Sequence, residues 1–175
     1  NADFIGVAAG YNHSLGLRVD RTIIAWGRDD EGQADVPSPN TGFVQIVAGG
    51  WHSLGLKADG SIVAWGCGGS QNFGQCEVPG SDTRFVQVAG GLAYTLGLKP
   101  DGSILVWGCG DRHSPSYGTC NLPSSNTGFI AVASGAYHGL GIRGTSVDFD
   151  GDGDADLSDH AAFVIHMNGP FADPS

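Results

Sequence analysis

One phrase recurs along this chain. "HSLGLRVDRTIIAWG" from His13 returns as "HSLGLKADGSIVAWG" from His52 and as "YTLGLKPDGSILVWG" from Tyr94. It starts again as "HGLGIRG" at His138 and then gives way to an acidic run, "DFDGDGDADLSD". Phe4, Phe43, Phe85 and Phe129 set the register, at spacings of 39, 42 and 44 residues. Periods of this size belong to propeller blades and similar repeat units.

Each repeat reads as four short strands, which in the second are "FVQIVAG", "HSLGLK", "SIVAWG" and "GQCEVP". Gly55, flanked by Leu54 and Leu56, recurs as Gly16, Gly97 and Gly141. A glycine inside a strand weakens it, so its recurrence implies that another layer approaches closely there. Asp59-Gly60 and Asp101-Gly102 suit hairpin loops with glycine at positive φ. The first repeat places Arg21 in that slot, at a cost of roughly 1 kcal/mol, and its turn is expected to be the least well formed. Trp26, Trp65 and Trp107 end the third strand in each copy and are expected in the core. The histidines of the recurring slot are expected to satisfy backbone groups of the neighbouring turn. With copies of one arrangement and no motif uniting nucleophile, base and orienter, no catalytic residue is assigned.

The composition agrees with an all-β chain. The 30 glycines suit short strands joined by tight turns. Residues 1–147 hold 11 acidic and 8 basic residues, a net charge of −3, and residues 148–175 hold 7 acids and no Lys or Arg. No basic stripe exists for a phosphate backbone, which excludes nucleic acid as a partner. No apolar run approaches the roughly 20 residues that span a bilayer. The chain opens on Asn1 without an initiator Met and reads as a mature or truncated piece.

Binding is expected where the repeats differ. Tyr11-Asn12, Gly50-Trp51, Leu92-Ala93 and Ala136-Tyr137 precede or enter the histidine slot, and the segments after each Trp-Gly vary as well. Variable loops on a repeated scaffold share one rim and carry recognition. Tyr11, Trp51, Phe73, Tyr117 and Tyr137 are the candidate anchors, for a protein or for a glycan. Cys67 and Cys109 share one slot, Cys76 and Cys120 another, and the first repeat lacks both. Slots gained together imply the pairs Cys67–Cys76 and Cys109–Cys120; the alternative Cys₄ zinc site lacks any C-x₂-C spacing. Disulfides place the chain outside a reducing cytosol, extracellular or at the cell surface.

The acidic run has calcium-loop spacing. Asp148, Asp150 and Asp152 fall at positions 1, 3 and 5, Gly153 at the sharp turn, and Asp154, Asp156 and Asp159 at 7, 9 and 12. Hard Ca²⁺ takes six to eight oxygens, and position 7 contributes a backbone carbonyl. A short helix, "HAAFVIHM", is expected after the loop.

The repeat "FVQIVAGGWHSLGLKADGSIVAWG…GQCEVP" resembles that of the regulator-of-chromosome-condensation family in its short bacterial form, over about residues 4–143. The resemblance implies a β-propeller, usually of seven blades, whose rim loops bind protein partners, and it leaves a secreted enzyme inhibitor as one such role. Residues 148–168 resemble half of a type I dockerin, which implies calcium and a cohesin-like partner, or simply a calcium-stapled cap. The expected organisation is an all-β, partial β-propeller of about 3.5 four-stranded repeats (4–42, 43–84, 85–128 and a partial 129–143), a linker at 144–147, and an EF-hand-like loop and short helix at 148–168. The expected role is a non-enzymatic extracellular binding module, with a lectin-like propeller as the alternative. An incomplete fourth repeat implies either a piece of a longer propeller or a homodimer in which two copies close the ring.

Overall fold

The computed structural model describes residues 3–80, 83–109, 120–144 and 163–167. Among these residues the chain forms four antiparallel three-stranded sheets, each a simple meander. The first holds β1 (Phe4–Ala9), β2 (His13–Arg18) and β3 (Ile23–Gly27). The second holds β4 (Phe43–Ala48), β5 (Ser53–Lys57) and β6 (Ile62–Trp65). The third holds β7 (Gln87–Gly90), β8 (Thr95–Leu98) and β9 (Ile104–Trp107). The fourth holds β10 (Phe129–Ser134), β11 (Gly139–Arg143) and β12 (Phe163–Met167). The sheets stack face to face as propeller blades, with three hydrophobic clusters between successive blades.

The interface between two blades is the same each time. The leading blade contributes Leu54 and Leu56; the following blade contributes Phe85, Val88 and Trp107. The equivalent residues before it are Leu15, Leu17 and Ile23 against Phe43, Ile46 and Trp65. Strict alternation would send Phe43 and Ile46, three residues apart, to opposite sides of their sheet. A bulge between Phe43 and Gln45 adds the residue that brings them to one side, as such insertions do. The first and fourth blades shift register at the same place. Inner strands of neighbouring blades do not pair, so side-chain amides bridge them. Gln45 donates Nε2–H to the Val88 carbonyl and accepts from the Val88 N–H, and Gln87 treats Val132 likewise.

Gly55 is needed for a layer closer than the one expected. A Cβ there would meet the ring of Phe43, from the adjacent strand of its own blade, at 2.5 Å, and the preceding blade's Ile23 at 3.3 Å. The turn in the first repeat is as regular as the others. Arg21 takes φ 66°, yet the Arg18 N–H to Thr22 carbonyl and Arg21 N–H to Arg18 carbonyl bonds match those of the glycine-bearing turns. Asp20 explains this, since its carboxylate accepts both the backbone N–H and the hydroxyl of Thr22. That local bond holds the turn against the left-handed strain.

Three expectations change. In the first two repeats the fourth segment is not a strand: residues 31–36 and 74–78 fold into successive tight turns, because their carbonyls are used by the next blade. The fourth sheet has a third strand beyond residue 143, and residues 163–167 are not helical. Phe163–Met167 pair with β11 throughout, Arg143 opposite Phe163 and Gly139 opposite Met167. β11 without a partner would be an open ladder, and the β-branched Val164 and Ile165 suit the strand that fills it. Met167 thus stands in the register of Trp65. Trp26 is the third correction: it is 47% exposed, whereas Trp65 and Trp107 are buried, because among the described residues no blade packs on the front of the first.

Candidate functional site

The strands β1, β4, β7 and β10 all end at one concavity, the mouth of the blade array. Each then turns back through a glycine: Gly10, Gly49, Gly91 and Gly135 donate their N–H to the carbonyl of His13, His52, Tyr94 and His138. These turns line a concavity of about 270 Å³ with small residues, among them Ala9, Ala48, Gly90 and Ala136. Backbone bonds run round its rim from blade to blade, Gly50 N–H to the Gly91 carbonyl at 3.0 Å and Leu92 N–H to the Ala136 carbonyl at 2.9 Å. The two variable residues of each turn stand at this mouth, where the sequence expects recognition.

Two of the expected anchors come together. Tyr11 and Trp51, from neighbouring blades, have ring centroids 5.4 Å apart at a 49° tilt. Tyr11 is 67% exposed and Trp51 half-buried. Arg28, from the segment after Trp26-Gly27, lays its guanidinium 4.9 Å from the Trp51 ring centre. A paired hydrogen bond to Asp30 holds it there; this bond raises the arginine's pKa and lowers that of the aspartate. Arg28 was not expected at the site, and the sequence carries no signal for it beyond its place in a variable segment. Tyr137 is exposed on the fourth blade's turn. Phe73 is half-buried, and its N–H is tied to the Gln75 side chain at 2.6 Å. Tyr117 and the six aspartates Asp148, Asp150, Asp152, Asp154, Asp156 and Asp159 lie outside the described residues. Among the described residues no three His, Cys, Asp or Glu side chains gather as a metal site, and no helix is long and apolar enough to cross a membrane.

The histidine slot lies beneath the mouth and reaches across blades, not to its own turn. His13 Nε2 meets Ser53 Oγ at 3.0 Å, and His52 Nε2 meets Thr95 Oγ1 at 3.1 Å. Such a Ser–His pair invites a hydrolytic reading. The proton count opposes it. Ser53 Oγ donates its one proton to the Gln33 carbonyl at 2.8 Å, and Thr95 donates to the Gln75 carbonyl at 3.2 Å. The imidazole must therefore donate from Nε2, so it has no lone pair there to take a proton from the hydroxyl. Both hydroxyl residues are fully buried. Burial lowers the pKa of both histidines, that of His52 to about 4.

Gln33 and Gln75 are the residues sequence reasoning missed. Both are buried, and their carbonyls also accept Trp65 Nε1–H and Trp107 Nε1–H at 3.0 Å each. The Trp-Gly pair follows from this contact. A Cβ at Gly66, whose φ is +86°, would lie 2.7 Å from Gln33 Cα. The recurrence of Gln in "EGQADVP" and "FGQCEVP" was the available signal. Beside these segments the chain closes both disulfides, Cys67–Cys76 with Cα atoms 6.2 Å apart and Cys109–Cys120 at 5.7 Å.

Known proteins share this repeat and this architecture. The regulator of chromosome condensation (RCC1) repeat matches residues 4–33 and 43–75. No curated protein matches the chain by sequence. The solved ectodomain of the Physcomitrella patens receptor kinase CR4 is similar at 29% identity and a TM-score of 0.59, over 82% of this chain and 36% of that one. The ectodomain of the Arabidopsis thaliana receptor kinase ACR4 is similar at 25% identity and 0.65, over 83% and 49%. Prp20p of Saccharomyces cerevisiae shares the fold at 18% identity and 0.67, over 83% and 44%. The chain thus spans less than half the length of each of these three. Repeat and fold together are similar to those of RCC1-type β-propellers.

Proposed function

We propose that the chain is a non-enzymatic, extracellular module that binds a protein partner at the mouth of the blade array. The cluster of Arg28, Trp51 and Tyr11 carries this reading. Tryptophan, tyrosine and arginine are the side chains that dominate protein–protein hot spots, and here variable positions from adjacent blades bring all three together. The Trp51 indole already meets Tyr11 and Arg28, which suits a rigid protein anchor better than a bare platform for stacking a sugar. Two disulfides support an oxidising compartment, as do two receptor ectodomains among the similar structures. Prp20, bound to Kap60 in one similar structure, is a propeller of this fold that engages a protein.

Affinity capture from extracellular protein, followed by binding isotherms of the captured partner, tests the proposal. Trp51→Ala is expected to weaken that binding by about 30-fold or more, the roughly 2 kcal/mol of a hot spot. Unchanged affinity would remove the cluster from the interface. A glycan-array signal lost on Trp51→Ala would replace this reading with a lectin.

Calcium belongs to the same proposal, held by Asp148, Asp150, Asp152, Asp156, Asp159 and the Asp154 carbonyl. The loop register supports it. So does the pairing of Arg143 with Phe163, which brings the two ends of residues 144–162 together. A staple across the β11–β12 connection fits that pairing better than a free cohesin-docking arm. At about one hundred times its Kd, calcium is expected to stabilise the chain by about 2.7 kcal/mol. Calorimetry with Ca²⁺ and with chelator reads this, and Asp152→Asn should abolish the difference. A second copy of the chain is the other partner proposed, completing the ring around the mouth.

A further inference from the structure

We infer that the mouth turns of the first two blades form a proton-operated latch: neutral His13 and His52 hold them shut beneath the anchors Tyr11 and Trp51, and acid opens them. The inference rests on the proposal that this mouth binds a partner, and it adds the regulation of that site. Each histidine lies directly under its own turn. A Cβ at Gly49 would fall 2.2 Å from Cε1 and 2.5 Å from Nδ1 of His52, and one at Gly10 would fall 2.4 Å and 2.7 Å from the same atoms of His13. The ring edge that carries Nδ1 therefore abuts the turn backbone. The other edge is spent on the next blade, where Nε2 meets Ser53 or Thr95. Both Nδ1 atoms are buried without a hydrogen-bond partner. A neutral ring places a bare acceptor there. A protonated ring places a charged N–H there, and a buried charge with no acceptor is far costlier.

The charged neighbours do not relieve that cost at His52. From the first blade it faces His13, whose charge opposes its own; from the third it faces the neutral hydroxyl of Thr95. Above it Arg28, paired to Asp30, lies over Trp51. Asp29 acts on His13 and favours its charged form, against the larger effect of burial. Relief comes most cheaply from the turn. Packed blades close the Nε2 side, whereas the turn is held by Gly49 N–H on the His52 carbonyl at 2.9 Å and Gly50 N–H on the Gly91 carbonyl at 3.0 Å. Segments with so few contacts open locally before the blades do. Lifting the turn lets water reach Nδ1 and carries off Trp51, which stands between Gly50 and His52 and meets Tyr11 and Arg28. A partner seated on these anchors loses them more often as the pH falls. The third blade lacks the device. Its slot is Tyr94, whose ring underlies Gly91 in the same way. Tyr94 Oη reaches the carbonyls of Gly135 and His138, and burial raises its pKa, so it stays neutral.

Amide hydrogen exchange at Gly10, Gly49 and Gly91, read as protection factors at pH 7 and pH 5, tests the latch. An opened turn returns His52 to its ordinary value of about 6.5, against about 4 in the closed form. Protection of Gly49 is therefore expected to fall about 20-fold between the two conditions. That of Gly10 should fall as well, since burial lowers His13 too. Gly91 should keep its protection, and His52→Gln should remove the fall at Gly49. Unchanged protection at Gly49 would overturn the latch. A fall at Gly91 equal to that at Gly49 would also overturn it, because whole blades and not turns would then be opening; this comparison needs no variant. A fall at Gly49 that persists in His52→Gln would overturn His52 as the group that takes the proton. Exchange is read without a partner, so a latch that fails leaves the binding proposal standing, and a mouth that binds nothing would still show the exchange.

Discussion

Trp65→Ala is expected to destabilise the chain by about 3–5 kcal/mol, the range for a large aromatic removed from a packed core. Trp65 is buried between the first two blades with Phe43, Ile46, Leu15 and Leu17, and its indole N–H bonds the Gln33 carbonyl. Alanine would leave a cavity and remove one of the two donors on that carbonyl. Trp65→Phe separates the effects. It keeps most of the apolar volume and is expected to cost about 1–3 kcal/mol, mostly the lost hydrogen bond. Trp26 is the control at the same register. At protein concentrations too low for two chains to meet, Trp26→Ala should cost about 1 kcal/mol or less, as for a surface position. Urea unfolding of the four proteins gives the comparison. Equal losses at Trp65 and Trp26 would mean that the front of the first blade is covered within a single chain.

The contrast between these tryptophans shows how far the sequence could be read. Comparison of the repeats identified the Phe, Leu and Trp slots, because burying a large side chain at fixed register leaves a periodic trace. It could not show that a slot's environment depends on the blade in front, which is why Trp26 was expected inside. The bulge at Val44 left no trace either, since it costs one residue in a strand otherwise apolar on both sides. Gln33 and Gln75 were visible as letters. They were read as part of a fourth strand because their role is to offer a backbone carbonyl, and any residue has one. β12 was hidden for a different reason. Its Met167 replaces the marker tryptophan, and an acidic insertion separates it from β11, so the repeat seemed to break off. At the mouth, the aromatic positions were legible as differences between repeats. Arg28 was not, because stacking over Trp51 is a matter of three-dimensional approach between blades.

Polar contacts between blades were the least legible, and one of them predicts a pH dependence. His52 is fully buried. Burial is the main cause that lowers its pKa to about 4, with the charge of His13 adding to it. In the unfolded chain the ordinary value of about 6.5 returns. The folded state thus favours the neutral ring, and the stabilisation is complete above about pH 6.5. As pH falls the unfolded chain takes up the proton first, so stability declines from about 6.5 down to about 4 and levels once both states are protonated. At 1.36 kcal/mol per pKa unit the decline is about 3 kcal/mol. His13, lowered by burial too, works in the same direction. The cause is geometric. Nε2–H is committed to Thr95, and Nδ1 is buried with no hydrogen-bond partner, so a second proton would have nothing to meet. The turn aspartates Asp20, Asp59 and Asp101, lowered first by hydrogen bonds from Thr22, Ser61 and Ser103, lose their contribution only below the ordinary carboxylate range, which leaves the higher window to the histidines. Urea unfolding at intervals between pH 7 and pH 4 should therefore show the decline in the unmodified chain. His52→Gln keeps an amide N–H for Thr95 and does not titrate, so its decline over the same range should be smaller, leaving only the part due to His13. A decline of equal size in that variant would mean that His52 is not the group being charged.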